Sequence, residues 1–419
     1  MKECHTIEKQ VDVSVIVTVY NLEDYIGECL DSLLSQEGVS LEVICVDDVS
    51  KDNSYAVLME YAKKDARVKV IRNEKNMGLA SSRNVGFRIA RGKYLYNIDG
   101  DDYLKAGALE KLYQCSEENH LDLLGFSAIS FYDNEEMRKF GAEDEYVRKG
   151  DYSKVTSGAE LFAELIENND RASSNLVLYF YRRDYFHQNN LYSVEGLRYA
   201  DDSMFKMYIA AKRAMCIPDQ LYMRRYREGS VCTSPMKKCY MESMIVLFLE
   251  ELKVWQNANL REDLNEKIER YFNTRQESIR SFHNSFRNDD SETELLNKNI
   301  MAKYFYKYFI QETPLYNSCF TQEEMEALKK EDTVILYGAG YIGNEVAKVF
   351  EAHNIEDYVV AVTNKEGEKK FRGKSVFGIQ ELISKRDGMV IVAMTKKNHE
   401  AVVETLNKLG FARYRLVVF

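Results

Sequence analysis

The sequence predicts an α/β protein: a mainly parallel sheet covered on both faces, then a helical stretch, then a second and smaller α/β unit. Three observations predict it. Over the first hundred residues β-branched runs and amphipathic segments alternate strictly, a pattern that makes parallel strands joined by helical crossovers. From about residue 236 to 311 the pattern turns helical, with few glycines, and near Asp332 the alternation restarts. At 419 residues the chain is long enough for two or three domains, which we read as 1–235, a helical connector at 236–330, and 331–419.

The elements follow in order. Residues 13–20 (VSVIVTVY) form a β-branched run typical of a buried strand. Asn21 can cap the next segment, where Tyr25, Ile26, Cys29, Leu30, Leu33 and Leu34 recur at helical spacing. Residues 41–46 read as a second strand, 54–63 as a helix, 68–71 as a third strand, 79–91 as a helix and 93–98 (KYLYNI) as a fourth strand. Regularity then loosens: a strand at 123–129, a helix at 159–167, an aromatic-rich stretch at 176–192 and a helix at 203–212. The last unit reads as a strand at 334–337, a glycine-rich turn, a helix through Phe350, strands at 358–362, 389–393 and 414–418, and a helix from His399.

Composition excludes several classes. A net charge of −10 argues against a bulk electrostatic grip on nucleic acid. With 45% hydrophobic and 30% charged residues, wholesale disorder is excluded. The longest clean apolar run near the middle, residues 244–249, falls far short of the about 20 residues that a spanning helix needs. The N-terminus has no apolar signal region, and the eight cysteines form no CxxC pair. These features predict a reduced, cytoplasmic protein.

Three acidic clusters fall at strand or helix ends: Asp47 and Asp48; Asp99, Asp101 and Asp102; and Asp201 and Asp202. In an open α/β sheet the carboxyl ends of the strands form the ligand crevice, so the first two clusters are expected to share one cleft. Asp99-Gly100-Asp101-Asp102 offers hard oxygen ligands suited to Mg²⁺ or Mn²⁺. An EF-hand is excluded, because loop positions 5 and 6 are Tyr103 and Leu104. Taken alone, the turn is equally a solvated bend with a helix cap.

The runs VSVIVTVYNLEDYIGECLDSLLSQ, VICVDDVSKDNS and NMGLASSRNVGFRIARGKYLYNIDGDDYL resemble the nucleotide-sugar half of inverting family-two glycosyltransferases with the GT-A fold. The likeness is close over residues 12–115 and looser to about 235. It implies a nucleotide-diphospho-sugar donor, usually a UDP-sugar, a divalent metal (Mn²⁺ or Mg²⁺) and a glycan or lipid-linked acceptor.

The same resemblance implies residue roles. Thr18 and Tyr20 match positions lining the base and ribose, and Asp48, with Asp47 beside it, matches the carboxylate at the uracil edge. Arg83 matches a position near the diphosphate, and Asp99 and Asp101 match the DxD motif, Asp101 as the direct metal ligand. Gly100 departs mildly from the family's middle residue. Residues 199–205 (YADDSMF) resemble the acidic pair whose second member is the catalytic base, here Asp202; Asp201 stands where Glu is usual, so the choice between the neighbours stays open. Residues 221–230 resemble the tyrosine- and arginine-rich strand beyond the base, with Arg225 and Arg227 implied at the diphosphate. Peripheral association with the inner face of a membrane is compatible with such an enzyme.

The second unit carries Gly338, Gly340 and Gly343 as GxGxxG between a strand and a helix, the context of a dinucleotide fingerprint. Thr363-Asn364 stands where a ribose-binding acid is expected. The unit resembles small Rossmann-type domains appended to surface-polysaccharide enzymes, and its expected roles are phosphate or nucleotide binding in an accessory capacity, or a purely structural or pairing role. The alternatives to a glycosyltransferase are an NAD(P)-linked oxidoreductase centred on this unit and a non-catalytic nucleotide-binding protein.

Overall fold

Strands β1 (Val13–Val19) and β2 (Leu41–Asp47) are buried at every position, as their β-branched, largely apolar runs require of strands covered on both faces. The computed structural model describes residues 11–170, 175–197, 204–234, 237–285, 296, 298–306, 320–364, 370–394 and 398–417. The chain divides into two units, the first Met1–Gln276 and the second chiefly Leu296–Phe419.

In the first unit β1 and β2 alternate with α1 (Ile26–Leu34), α2 (Ser54–Lys64), β3 (Val68–Arg72), α3 (Leu79–Ile89) and β4 (Tyr94–Asp99). Beyond them lie β5 (Tyr103–Leu104), α4 (Ala108–Glu118), β6 (Leu123–Tyr132), β7 (Tyr152–Thr156), α5 (Gly158–Glu167), β8 (Tyr179–Arg182), α6 (Arg183–Gln188), α7 (Met204–Ala210) and β9 (Ala214–Tyr226). Among the described residues the sheet runs β3-β2-β1-β4-β8-β6-β9-β5, with β7 also on β9. The first four strands are mutually parallel, while β8 runs antiparallel to both β4 and β6. The parallel sheet expected from the alternation is therefore one half of a mixed sheet.

One local expectation is corrected. Helix α1 begins at Ile26, not at a cap on Asn21. Asn21 adopts a left-handed φ of 54°, donates its N–H to Ser50 Oγ (3.0 Å) and accepts from Lys51 N at Oδ1 (2.8 Å), so it joins the loops after β1 and β2. Strand β9 pairs in parallel with β6 through a bulge between Cys216 and Tyr222, where Pro218 cannot donate to a ladder.

Helices α8 (Lys238–Asn257) and α9 (Glu262–Ser285) follow. Phe272 of α9 stacks on Trp255 (4.9 Å between centroids) and meets Phe205 of α7 edge-on. Among the described residues no helix is long and apolar enough to cross a membrane, and the described cysteines are unbridged.

The second unit comprises α10 (Ile300–Phe305), α11 (Gln322–Leu328), β10 (Val334–Tyr337), α12 (Tyr341–Ala352), β11 (Tyr358–Val362), β12 (Lys370–Phe371), β13 (Lys374–Gly378), β14 (Met389–Val392), α13 (His399–Lys408) and β15 (Tyr414–Leu416). Its sheet is ordered β12-β13-β11-β10-β14-β15, parallel apart from β12. Two of the three fingerprint glycines are fixed by packing. A Cβ on Gly338, whose φ is 125°, would lie 2.5 Å from Ala393 O, and one on Gly343 would lie 1.8 Å from Gly338 O. Gly340 faces open space. At the ends of β10 and β11, Tyr337 and Thr363 share a hydroxyl–hydroxyl hydrogen bond of 2.7 Å.

Candidate active site

Backbone register brings several of the sequence-predicted residues of the first unit together. Thr18 pairs with Val46 on one side and with Asp99 on the other, and Val19 pairs with Asp47. Thr18, Asp47, Asp48 and Asp99 therefore share the carboxyl edge of the sheet. Chain order reverses there, with β2 and β3 on one side of β1 and β4 on the other, and such a switch point opens a crevice. Thr18 Oγ1 is buried there with no hydrogen-bond partner among the described residues, whereas Tyr20 is exposed.

Asp47 and Asp48 differ. Asp47 is fully buried, accepts from Ser50 N and pairs with Arg72 Nε at 3.2 Å, which makes it a brace between β2 and β3. Asp48, 4% exposed, accepts from Asn73 Nδ2 (2.8 Å) and Met77 N (2.7 Å) at Oδ1 and from Gly78 N (2.8 Å) at Oδ2. It thus organises the loop that starts α3 and retains acceptor capacity on Oδ2.

The acidic turn after β4 is the electrostatic centre. Arg83 of α3, itself buried, reaches Asp99 Oδ1 at 3.2 Å. Asp99 keeps 38% of its side chain exposed. The protein crowding it still pushes its pKa above the usual carboxylate range, with Arg83 opposing and Asp101 adding to the rise. A Cβ on Gly100 would sit 3.0 Å from Leu22 Cδ1 and 3.1 Å from Thr18 O, which explains a glycine at this position. Asp101 Oδ2 pairs with Arg227 Nε at 2.7 Å. Asp102 is buried and accepts from Tyr222 Oη and from Arg225 N (2.7 Å). Its pKa is raised well above normal, first by burial and then by Asp101 and Asp99.

Arg225 does not follow the expectation of an arginine turned to a diphosphate. Its Nε donates to Asp101 O (2.9 Å), Nη1 pairs with Asp133 (2.8 Å) and Nη2 with Glu28. Sequence reasoning missed Glu28 and Asp133 as parts of the site; it read Asp102 as a member of the acidic turn and Tyr222 only within the tyrosine- and arginine-rich strand. The period-two alternation of residues 222–226 carries a signal for Tyr222, but nothing local marks the two acids.

The acidic pair Asp201–Asp202 lies outside the described residues. On its N-terminal side Asn84 of α3 clasps Ser193, accepting from its N–H (3.0 Å) and donating to its carbonyl (2.9 Å). On the C-terminal side α7 begins at Met204.

Among the described residues no three His, Cys, Asp or Glu side chains converge as a metal cage. Asp99, with 38% of its side chain exposed, would offer a carboxylate to a divalent cation of the Mg²⁺ type, which takes one or two carboxylates and fills its remaining positions with phosphate and water oxygens.

Residues 14–188 match the domain "Glycosyl transferase family 2". The chain is 33% identical over 266 residues to the uncharacterized glycosyltransferase EpsJ of Bacillus subtilis, covering 62% of this chain and 75% of that protein. A shorter stretch of 114 residues is 43% identical to the poly(ribitol-phosphate) beta-glucosyltransferase of Bacillus spizizenii, covering 26% of this chain and 18% of that one. In three dimensions the chain resembles S. aureus TarS 1–349 in complex with UDP, with a TM-score of 0.51 and 23% identity, over 87% of this chain and all of that one. The large mixed sheet is accordingly of the GT-A type, and the chain belongs to glycosyltransferase family 2.

Proposed function

We propose that the protein moves a sugar, with inversion, from a UDP-sugar to a hydroxyl of a cell-surface glycan or a lipid-linked precursor. One observation carries the reading: Thr18, Arg83 and Asp99 meet at the sheet's switch point, the kind of place where an α/β fold binds a nucleotide, with Asp101 two residues further on. The polymer class is supported by the relative that glucosylates poly(ribitol-phosphate), and the UDP by the complex formed by TarS.

In this reading Thr18 and Tyr20 line the nucleoside, and Asp48 Oδ2 accepts from the base edge. Asp99 and Asp101 would hold a Mn²⁺ or Mg²⁺ ion, which supplies charge neutralisation for the departing diphosphate. Arg83 and Arg227 add preorganised positive charge on the same side. Asp202 accepts the proton of the acceptor hydroxyl as it attacks the anomeric carbon from the face opposite the diphosphate. A single displacement inverts the configuration, so no protein nucleophile is needed.

A panel of nucleotide sugars assayed for Mn²⁺-supported hydrolysis and transfer tests this. A UDP-sugar should be consumed, and Asp202→Asn should lower transfer at least about a hundredfold while leaving UDP affinity unchanged. Consumption of no nucleotide sugar would sink the donor assignment; near-normal transfer by Asp202→Asn would move the base to Asp201 or elsewhere.

A further inference from the structure

Arg225 lies at the centre of a construction that the chemistry above does not use. Its guanidinium spans three separate elements: Glu28 in the first turn of α1, Asp133 just beyond β6, and the carbonyl of Asp101 in the acidic turn. Its own N–H donates to the Asp102 carboxylate. The ring of Phe131 lies 4.5 Å beneath the guanidinium, and Tyr25, which donates to Asp133 Oδ2 (3.0 Å), lies 5.2 Å away.

We infer that Glu28 and Asp133 are positioning residues that act through Arg225 to hold the acidic turn in its donor-binding shape. Two physical points support this. A guanidinium projects N–H groups in a fixed plane, and here Nε and both terminal nitrogens already meet protein oxygens, with only 11% of the side chain exposed. Reaching a diphosphate would require it to abandon a carboxylate. The turn also needs an external hold, because three carboxylates in four residues repel one another and Gly100 adds backbone freedom. Arg225 grips that turn at a carbonyl and a carboxylate, while Glu28 and Asp133 fix Arg225 from the far side.

Glu28 is 56% exposed and Asp133 23%, so replacing them leaves the core intact. The inference rests on the donor reading, and the experiment separates the two. In the full-length Glu28→Ala/Asp133→Ala double variant, amide exchange across residues 94–104 without ligand should quicken by about tenfold, the effect of losing two charge-assisted hydrogen bonds. UDP affinity in the presence of Mn²⁺, measured by calorimetry, should weaken by a similar factor. The milder Glu28→Gln and Asp133→Asn variants should move both readouts in the same direction. In an Arg225→Ala background the acid substitutions should add nothing. Unchanged exchange overturns the inference. So does unchanged or tighter UDP binding, the latter being what a diphosphate-binding arginine would give once released from its two acids. A wild-type protein that ignores UDP would instead refute the donor reading, and the exchange measurement would still judge the strut.

Discussion

Asp101 and Asp48 hold their carboxylates under opposite constraints. Asp101 has one arginine partner, Arg227, and its side chain is largely shielded at the end of a sheet; Asp48 is ringed by donors from one loop. Asp101→Asn keeps the shape but removes the anionic oxygen that a hard cation prefers, so UDP binding should lose its dependence on Mn²⁺. Calorimetry with and without the ion checks this, and an unaltered metal dependence would discard Asp101 as a ligand. Asp48→Asn turns an amide NH₂ toward the N–H groups of Met77 and Gly78 or leaves one of them unmet, which should destabilise the fold by about 1–3 kcal/mol. Urea denaturation measures that, and no loss of stability would show that the loop does not depend on the carboxylate. The acidic turn itself is legible in the sequence because its carboxylates are neighbours. Glu28 and Asp133 are not, because they meet Arg225 across 197 and 92 residues of chain.

Element by element, the alternating β1–β4 half of the sheet is legible and the other half is not. β1 to β4 announce themselves through short, β-branched or aromatic runs, whereas β9 carries Pro218, a bulge and pairing partners on both edges. Its place depends on contacts that no local pattern encodes. Strand β2 also carries a buried acid within its apolar run: Glu42 accepts from Ser14 Oγ (2.5 Å), Lys69 Nζ (2.6 Å) and Arg91 N (2.7 Å), tying β1, β3 and the end of the α3 segment together. Burial alone would raise its pKa, but Lys69, Ser14 and Arg91 together hold it below the ordinary value. With the folded pKa depressed, the stabilisation is present above the unfolded value and is lost as pH falls through the folded one. Glu42→Gln should therefore cost about 2 kcal/mol near neutrality. The gap between variant and wild type should narrow in acid, as pH drops below the ordinary carboxylate range. Denaturant titrations at both pH values test the sign; a gap that widens in acid would refute it.

At the scale of the molecule, every residue given a catalytic or donor-binding role lies before Ser230, inside the first unit. The glycine-rich turn of the second unit owes Gly338 and Gly343 to its own packing, since each Cβ would strike backbone carbonyl oxygen. That packing accounts for much of a motif that otherwise suggests a dinucleotide. Residues 332–419 should accordingly be dispensable for the chemistry and serve instead to engage something beyond the donor cleft. Gly343→Val tests this in the intact chain. A branched side chain 1.8 Å from a carbonyl oxygen cannot be accommodated without moving backbone, at a cost of about 1–3 kcal/mol or more. The second unit should become the preferred site of limited proteolysis, while hydrolysis of the nucleotide sugar stays within about twofold of wild type, as expected for sites that do not couple. Transfer to a large polymeric acceptor is the activity that should fall, because a separate domain can extend the surface that such an acceptor meets. If donor hydrolysis collapses while circular dichroism and UDP binding remain normal, the second unit completes the active site and the division of labour between the units is wrong.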